Sequence, residues 1–150
     1  LTIMKKHLYL SDEQLKEYIE KIFTGYRETI SDVKSVLDKY SLGVAHNKVI
    51  HLISLYRGIT ISDLLRKLSV TKQSLNRVLK DLINIKAIDF KKDETDTRIK
   101  HLYLTLEGEK IFNEIFSIQK KRIYKAFLSS KSNEVINFDK VLKKIINGKY

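Results

Sequence analysis

The sequence contains no cysteine, which excludes disulfide frameworks, cysteine-ligated zinc and redox sensing through a thiol of this chain. Proline is absent too and glycine occurs only 5 times, so helix ends must be set by side-chain caps and by changes of hydrophobic period. No run approaches the ~18 apolar residues that a membrane span requires, and the first residues lack the apolar stretch and cleavage site of a secretory signal. The expected compartment is the cytoplasm, with no membrane partner. A glycine-rich phosphate loop, a nucleophile elbow and paired catalytic carboxylates are also missing, so an enzyme is not expected.

What the chain has in excess is positive charge. Its 150 residues carry 29 Lys and Arg against 18 Asp and Glu, a net +11 at pH 7, which favours a polyanionic partner through counterion release. Nucleic acid is the first candidate and an anionic membrane surface the second. The C-terminal stretch from Phe116 to Tyr150 supplies +7 of that total. Such a bias is either a solvated face or a source of sequence-independent attraction to DNA. Hydrophobic residues at 43% and charged residues at 31% fit a globular chain, and the length suits one folding unit over residues 1–150.

Ser11 with Gln14 forms a capping-box start, after which Leu15, Tyr18, Ile19, Ile22, Phe23, Tyr26, Ile30, Val33, Leu37 and Tyr40 recur at helical spacing. One long helix over 11–40 is expected. At roughly 28 residues it would rise about 42 Å, longer than a domain this size covers by itself, so part of its apolar stripe calls for a second subunit. Val49, Leu52, Ile53 and Tyr56 mark a helix from Val44, closed by Arg57 and Gly58. Thr60 and Asp63 cap a short Leu-rich helix, and Thr71 caps the next. From Ala87 to Lys92 and from Ile99 to Leu104 the pattern becomes strand-like around a polar segment, predicting a hairpin with a charged tip. Thr105 then caps a helix carrying Ile111 to Phe127, and a last helix runs from about Asn133 through Ile146.

Two segments carry candidate chemistry. In the helix after Thr71, Leu75, Val78, Leu79 and Leu82 form the inner side, while Gln73, Asn76, Arg77 and Lys80 recur on the other. Gln73 and Asn76 offer the paired donors and acceptors that base edges need, Lys72, Arg77 and Lys80 offer cations for phosphate, and Ser74 is a further DNA-binding candidate. Any surface helix shows a polar stripe, so the stripe alone names no partner. Its order in the chain adds specificity, because a helix-turn-helix followed at once by a basic ribbon is the winged helix-turn-helix layout. Lys91, Lys92, Arg98 and Lys100 surround the tip, so a cation is available for the electronegative minor groove.

The stretch from Ile59 to Gly108, with an Arg in the recognition helix (Arg77), the D-x-R of Asp96 and Arg98, and L-T-x-x-G at Leu104-Thr105-Leu106-Glu107-Gly108, resembles the core of the multiple antibiotic resistance regulator (MarR) family. The resemblance implies a mostly α fold with a small β-wing: a winged helix-turn-helix domain over about 44–108, flanked by N- and C-terminal dimerisation helices at about 11–40 and 105–147. It implies that Arg98 enters the minor groove and that Asp96 holds it there. It further implies a homodimeric regulator, most often a repressor, on a pseudo-palindromic operator in double-stranded DNA, released by a small-molecule effector such as an aromatic acid. The chain departs from relatives at Thr95 and Thr97, where many carry Arg, and at Asn84-Ile85-Lys86-Ala87, where a Gly is usual.

His7, His46, His51 and His101 remain. His46 and His51 lie five apart, off the i, i+4 spacing that puts two ligands on one helix face, so neither a metal site nor any other cofactor is expected. The alternative to a DNA-binding regulator is a winged-helix module that binds a protein or a structured RNA.

Overall fold

The computed structural model describes residues 8–147. After a short 3-10 turn at Leu8–Leu10 come helices α1 (Asp12–Ser31), α2 (Lys34–Lys39), α3 (Val44–Leu55), α4 (Ile61–Leu68) and α5 (Lys72–Asn84). The strands β1 (Ile88–Lys92) and β2 (Lys100–Leu104) follow, then α6 (Leu106–Leu128) and α7 (Ser132–Asn147). Hydroxyl caps start four of these helices: Ser11, Thr60, Thr71 and Thr105 accept from the N–H groups of Gln14, Asp63, Ser74 and Gly108. Each cap satisfies a donor that the first helical turn leaves orphaned, worth about 1 kcal/mol.

The core is centred on α3, which packs against β2, α5 and α6. Its Val49, Ile50 and Ile53 are buried with Leu64 of α4, Leu75 and Leu82 of α5, Leu102 of β2, and Ile111 and Ile115 of α6. Burying each such side chain stabilises the fold by roughly 1.5–3 kcal/mol. This single cluster fixes the helix-turn-helix, the ribbon and the start of α6 as one body.

The long first helix expected over 11–40 is instead two. At Val33 the backbone leaves helical geometry (φ −106, ψ 4), and the turn brings Val33 and Leu37 into the core against α6. Polar contacts hold the bend. Asp32 accepts from Arg122 Nε and Nη2 at 2.5 and 2.8 Å, and Glu114 accepts from the Tyr40 hydroxyl at 2.6 Å and Lys39 Nζ at 3.1 Å. The hydrogen bond from Arg122 keeps the Asp32 carboxyl below its usual range. At 20 residues, α1 rises about 30 Å rather than 42 Å. Neither α1 nor α7 contains a buried residue, and their apolar stripes, including Phe23 and Ile146, lie on the surface.

The ribbon is antiparallel, with Ile88 opposite Leu104 and Lys92 opposite Lys100. The outer edge of β2 is also occupied. Gly58 N donates to Leu102 O at 3.1 Å, Leu102 N donates to Ile59 O at 2.9 Å, and Thr60 forms a bridge with His101. The α3–α4 link thus caps an edge that would otherwise invite pairing.

Two close contacts set the angle between α5, the ribbon and α6. Just after α5, Lys86 takes the left-handed conformation (φ 60). Ala87 N donates to Leu82 O and Lys86 N to Ile83 O, both at 2.9 Å, the paired bonds of a Schellman stop. Gly108 then packs on this turn. A Cβ there would lie 1.8 Å from the Ala87 carbonyl oxygen, so only glycine permits the approach. Thr105 completes the joint, donating through N to Ala87 O at 3.0 Å and through its hydroxyl to Lys86 O at 2.5 Å. The L-T-x-x-G motif is therefore a packing device, with Thr105 as cap and tie and Gly108 as the contact point.

Candidate nucleic-acid interface

Helix α5 is anchored at both ends of its inner side. Thr71 accepts from Ser74 N at 3.1 Å and donates to the Ser74 hydroxyl at 2.8 Å, so Ser74 belongs to the cap as well as to the exposed face. Further along, Asp81 accepts from His46 Nε2 at 2.9 Å while His46 Nδ1 accepts from Gly43 N at 3.0 Å, tying α5 to the start of α3. Leu75, Leu79 and Leu82 are buried. Lys72, Gln73, Asn76, Arg77 and Lys80 are exposed. Among the described residues, no hydrogen bond or ion pair engages the side chains of these five. They form a row of donors, acceptors and cations on a helix anchored at both ends, with no side-chain partner among the described residues.

The ribbon sorts its cations by pleat. Lys92 and Lys100 share a face with Phe90, and the Lys100 ammonium lies 4.6 Å from that ring centroid. Lys91 is on the other face with His101 and Tyr103, 5.3 Å from the Tyr103 ring. The three wing lysines therefore do not form one patch. Arg98 stands at the tip with a highly exposed side chain (89%). Asp96 Oδ1 accepts from Arg98 N at 3.0 Å and Nε at 3.1 Å, and Oδ2 accepts from Nη2 at 3.2 Å. These bonds keep the Asp96 carboxyl below its usual range and fix the direction of the guanidinium while leaving its far edge free. The arrangement presents a held cation beyond the strand ends, a shape suited to a narrow anionic groove.

The tip itself is organised by Asp93, a residue that the sequence pattern did not single out. Its Oδ2 accepts from Thr95 N (3.1 Å), Thr95 Oγ1 (2.8 Å) and Asp96 N (3.1 Å). Its Oδ1 faces His101 Nε2 at 2.8 Å, and His101 Nδ1 faces the Gly58 carbonyl at 2.8 Å. Gly58 lies 43 residues away in the chain, so no local signal links it to the wing. Thr95 braces the tip through its backbone N–H and its hydroxyl.

Of the remaining sequence candidates, His46 and His101 serve as structural ties, His51 packs near Phe112 with ring centroids 6.3 Å apart, and His7 lies outside the described residues. Among the described residues no group of three or more His, Cys, Asp or Glu is placed to hold a metal ion. The basic C-terminal region spends part of its charge internally, Arg122 on Asp32 and Lys143 on Asp139 at 2.8 Å; Lys149 lies outside the described residues. Between α3, β2 and α6 a cavity of about 210 Å³ is lined by Ile53, Arg57, Tyr103, Glu109 and Phe112, among others.

No protein-family model matches the chain. It is 36% identical over 140 residues to the HTH-type transcriptional regulator PetP of Rhodobacter capsulatus, covering 93% of this chain and 84% of that protein. Its fold is similar to Streptococcus pneumoniae FabT, solved in complex with DNA (TM-score 0.71, 22% identity, 91% of this chain and 96% of that one). It is similar also to a MarR transcriptional regulator from Methanosarcina mazei Go1 (TM-score 0.70, 20% identity, 88% and 96%).

Proposed function

The chain belongs to the MarR family of winged helix-turn-helix transcriptional regulators, and on that premise we propose that it is a sequence-specific repressor that binds a pseudo-palindromic operator as a homodimer. In this reading α5 enters the major groove, where Gln73 and Asn76 read base edges. Lys72, Ser74, Arg77 and Lys80 contact phosphates, and Arg98, held by Asp96, enters the adjoining minor groove while Lys91, Lys92 and Lys100 flank it. The observation that carries the proposal is the pairing, on one core, of a polar row on α5 that has no side-chain partner among the described residues with an arginine held by Asp96 at the wing tip. The domain is read as single, its core over about 44–108 and its dimerisation helices over about 11–40 and 105–147.

Dimerisation is supported by the apolar surface of α1 and α7. Phe23 is 68% exposed and Ile146 72% exposed, and neither helix buries any residue within one chain. Apolar stripes of this extent mark an interface, and two-fold symmetry is its commonest form. Among the described residues no helix is long and apolar enough to cross a membrane, and we place the protein in the cytoplasm with its DNA. An aromatic acid is the proposed effector. Arg57, Tyr103 and Phe112 line the cavity together with the carboxylate of Glu109, and its volume of about 210 Å³ suits a one-ring molecule rather than a drug-sized ligand.

Sedimentation equilibrium, followed by enrichment of duplexes from a random pool, tests the proposal. A dimer and a two-fold-symmetric enriched site are expected. Gln73→Ala and Asn76→Ala should then lower the preference for that site over random duplex by on the order of 1–3 kcal/mol with little change in salt slope. Lys80→Ala should weaken both duplexes alike and reduce the slope by about one phosphate contact. A monomer with no enriched duplex would favour the protein- or RNA-binding module instead.

A further inference from the structure

The face of the ribbon opposite Leu102 carries a histidine between two acceptors. His101 Nδ1 lies 2.8 Å from the Gly58 carbonyl oxygen and Nε2 lies 2.8 Å from Asp93 Oδ1. A peptide carbonyl only accepts, an ionised carboxylate only accepts, and a neutral imidazole has a single N–H. Both contacts are made at once only by the imidazolium. Less than a third of either side chain is exposed, 29% for His101 and 27% for Asp93, so water does not freely replace these bonds. The hydrogen bond to Asp93, then the one to Gly58, hold the imidazole above its ordinary value of 6.5. In return His101 is the main reason that the Asp93 carboxyl stays far below its usual range, with Thr95 and the Asp96 N–H adding to the effect.

The two acceptors belong to different parts of the protein. Gly58 sits in the α3–α4 link, whereas Asp93 opens the wing tip and braces Thr95 and Asp96 through its other oxygen. Asp96 in turn holds Arg98. A continuous relay therefore runs from the body of the helix-turn-helix through one imidazole to the arginine at the tip.

We propose that His101 is a proton-operated latch: as an imidazolium it ties the wing tip to the α3–α4 link and keeps the Asp96–Arg98 pair in place, and on losing its proton it releases one of its two partners and loosens the wing's hold on DNA. The role in DNA binding rests on the regulator reading above, whereas the latch itself does not. Other charges surround the ring. Lys91 lies opposite it on β1 and Lys100 beside it on β2. Arg57 adjoins Gly58, Glu94 and Asp96 belong to the tip, and Asp63 of α4 is taken by Arg66. Asp93 alone among these touches the ring through a carboxylate.

The sign follows from the direction of the shift. A raised imidazole means that the latch is complete below 6.5, the ordinary value, and is lost as pH rises through the raised one. Asp93 has the opposite sense and changes only in strong acid, so near neutrality His101 alone operates the pair.

The full chain, labelled with 15N at its histidine rings, tests the latch without DNA. Below neutral pH both His101 nitrogens should be protonated, with a midpoint above 6.5, the ordinary value. Asp93→Asn, which keeps an acceptor but removes the charge, should lower that midpoint. The amides of Thr95 and Asp96 should lose protection from hydrogen exchange above the midpoint in the wild type and show no such step in His101→Gln. With DNA, the probe is a duplex enriched from a random pool by the wild-type chain. At fixed salt its affinity should fall by on the order of tenfold between about pH 6 and about pH 8.5, and His101→Gln should flatten that ratio. A wild-type midpoint below the ordinary value, or one unmoved by Asp93→Asn, overturns the latch. Wild-type pH dependence of affinity retained in His101→Gln overturns its link to DNA binding. If no duplex is enriched, the DNA role fails, while the ring titration and exchange data still decide the latch.

Discussion

The joint between α5 and α6 makes a quantitative case for one methyl group. In Gly108→Ala the new Cβ would sit 1.8 Å from the Ala87 carbonyl oxygen and 2.8 Å from the carbonyl carbon, both backbone atoms that no rotamer change can move aside. The start of α6 must retreat by about 1.5 Å to restore ordinary contact, an overpacking strain of about 1–3 kcal/mol. That movement also stretches the bonds from Thr105 N to Ala87 O and from Thr105 Oγ1 to Lys86 O, each worth about 1 kcal/mol net. The expected loss is about 3–5 kcal/mol, a large share of the stability of a typical domain. For a chain of this length it lowers Tm by about 10 °C. Thermal unfolding followed by circular dichroism, at one protein concentration because a dimer's Tm depends on it, provides the measurement. Gly25→Ala is the internal contrast: nothing lies within 4 Å of the Cβ built there, so the better helix former should stabilise α1 by up to about 1 kcal/mol. If Gly108→Ala melts within about 2 °C of the wild type, the packing account of the L-T-x-x-G glycine is wrong.

Lys86 holds a left-handed conformation (φ 60) that costs a residue with a Cβ roughly 1–2 kcal/mol, so Lys86→Gly should stabilise the fold by about 0.5–1 kcal/mol after the added chain entropy of glycine is counted. Urea unfolding would detect this, and a lowered midpoint would mean that the lysine side chain itself contributes. At the wing, Arg98→Ala should weaken binding to the enriched duplex by on the order of tenfold, whereas Lys143→Ala, already paired with Asp139, should change it by less than about twofold; the reverse order in a titration at fixed salt would move the DNA contact to α7. The Asp32 carboxyl, depressed by its hydrogen bond to Arg122, adds stability that is present above 3.8, its ordinary value, and is lost as pH falls through the depressed one. Asp32→Asn should therefore be the less stable protein at neutral pH and lose less on acidification; parallel acid-unfolding curves would show that the pair does not hold the bend between α1 and α2.

The order of helices, the four hydroxyl caps, the ribbon and the polar row on α5 were legible in the sequence because each depends on residues within one or two turns of each other. Ser11 reaches Gln14 and Thr71 reaches Ser74 wherever the helix sits, and the alternation of Leu75, Leu79 and Leu82 with Gln73, Asn76 and Lys80 needs only the helical period. The Asp96–Arg98 pair spans two residues, and it is the resemblance of the D-x-R motif, not the spacing, that points to it. Other features rest on partners that no local pattern names. The apolar stripe continues unbroken past Val33, so periodicity predicts one helix; the break exists because α6 offers a core site to Val33 and Leu37 and a guanidinium to Asp32. Nothing near His101 in the sequence points to Gly58, and nothing near Gly108 points to the Ala87 carbonyl. These arrangements belong to the tertiary structure because a close backbone approach, or a ring held between two acceptors, is set by the relative placement of whole elements, and that placement follows from how the entire core packs.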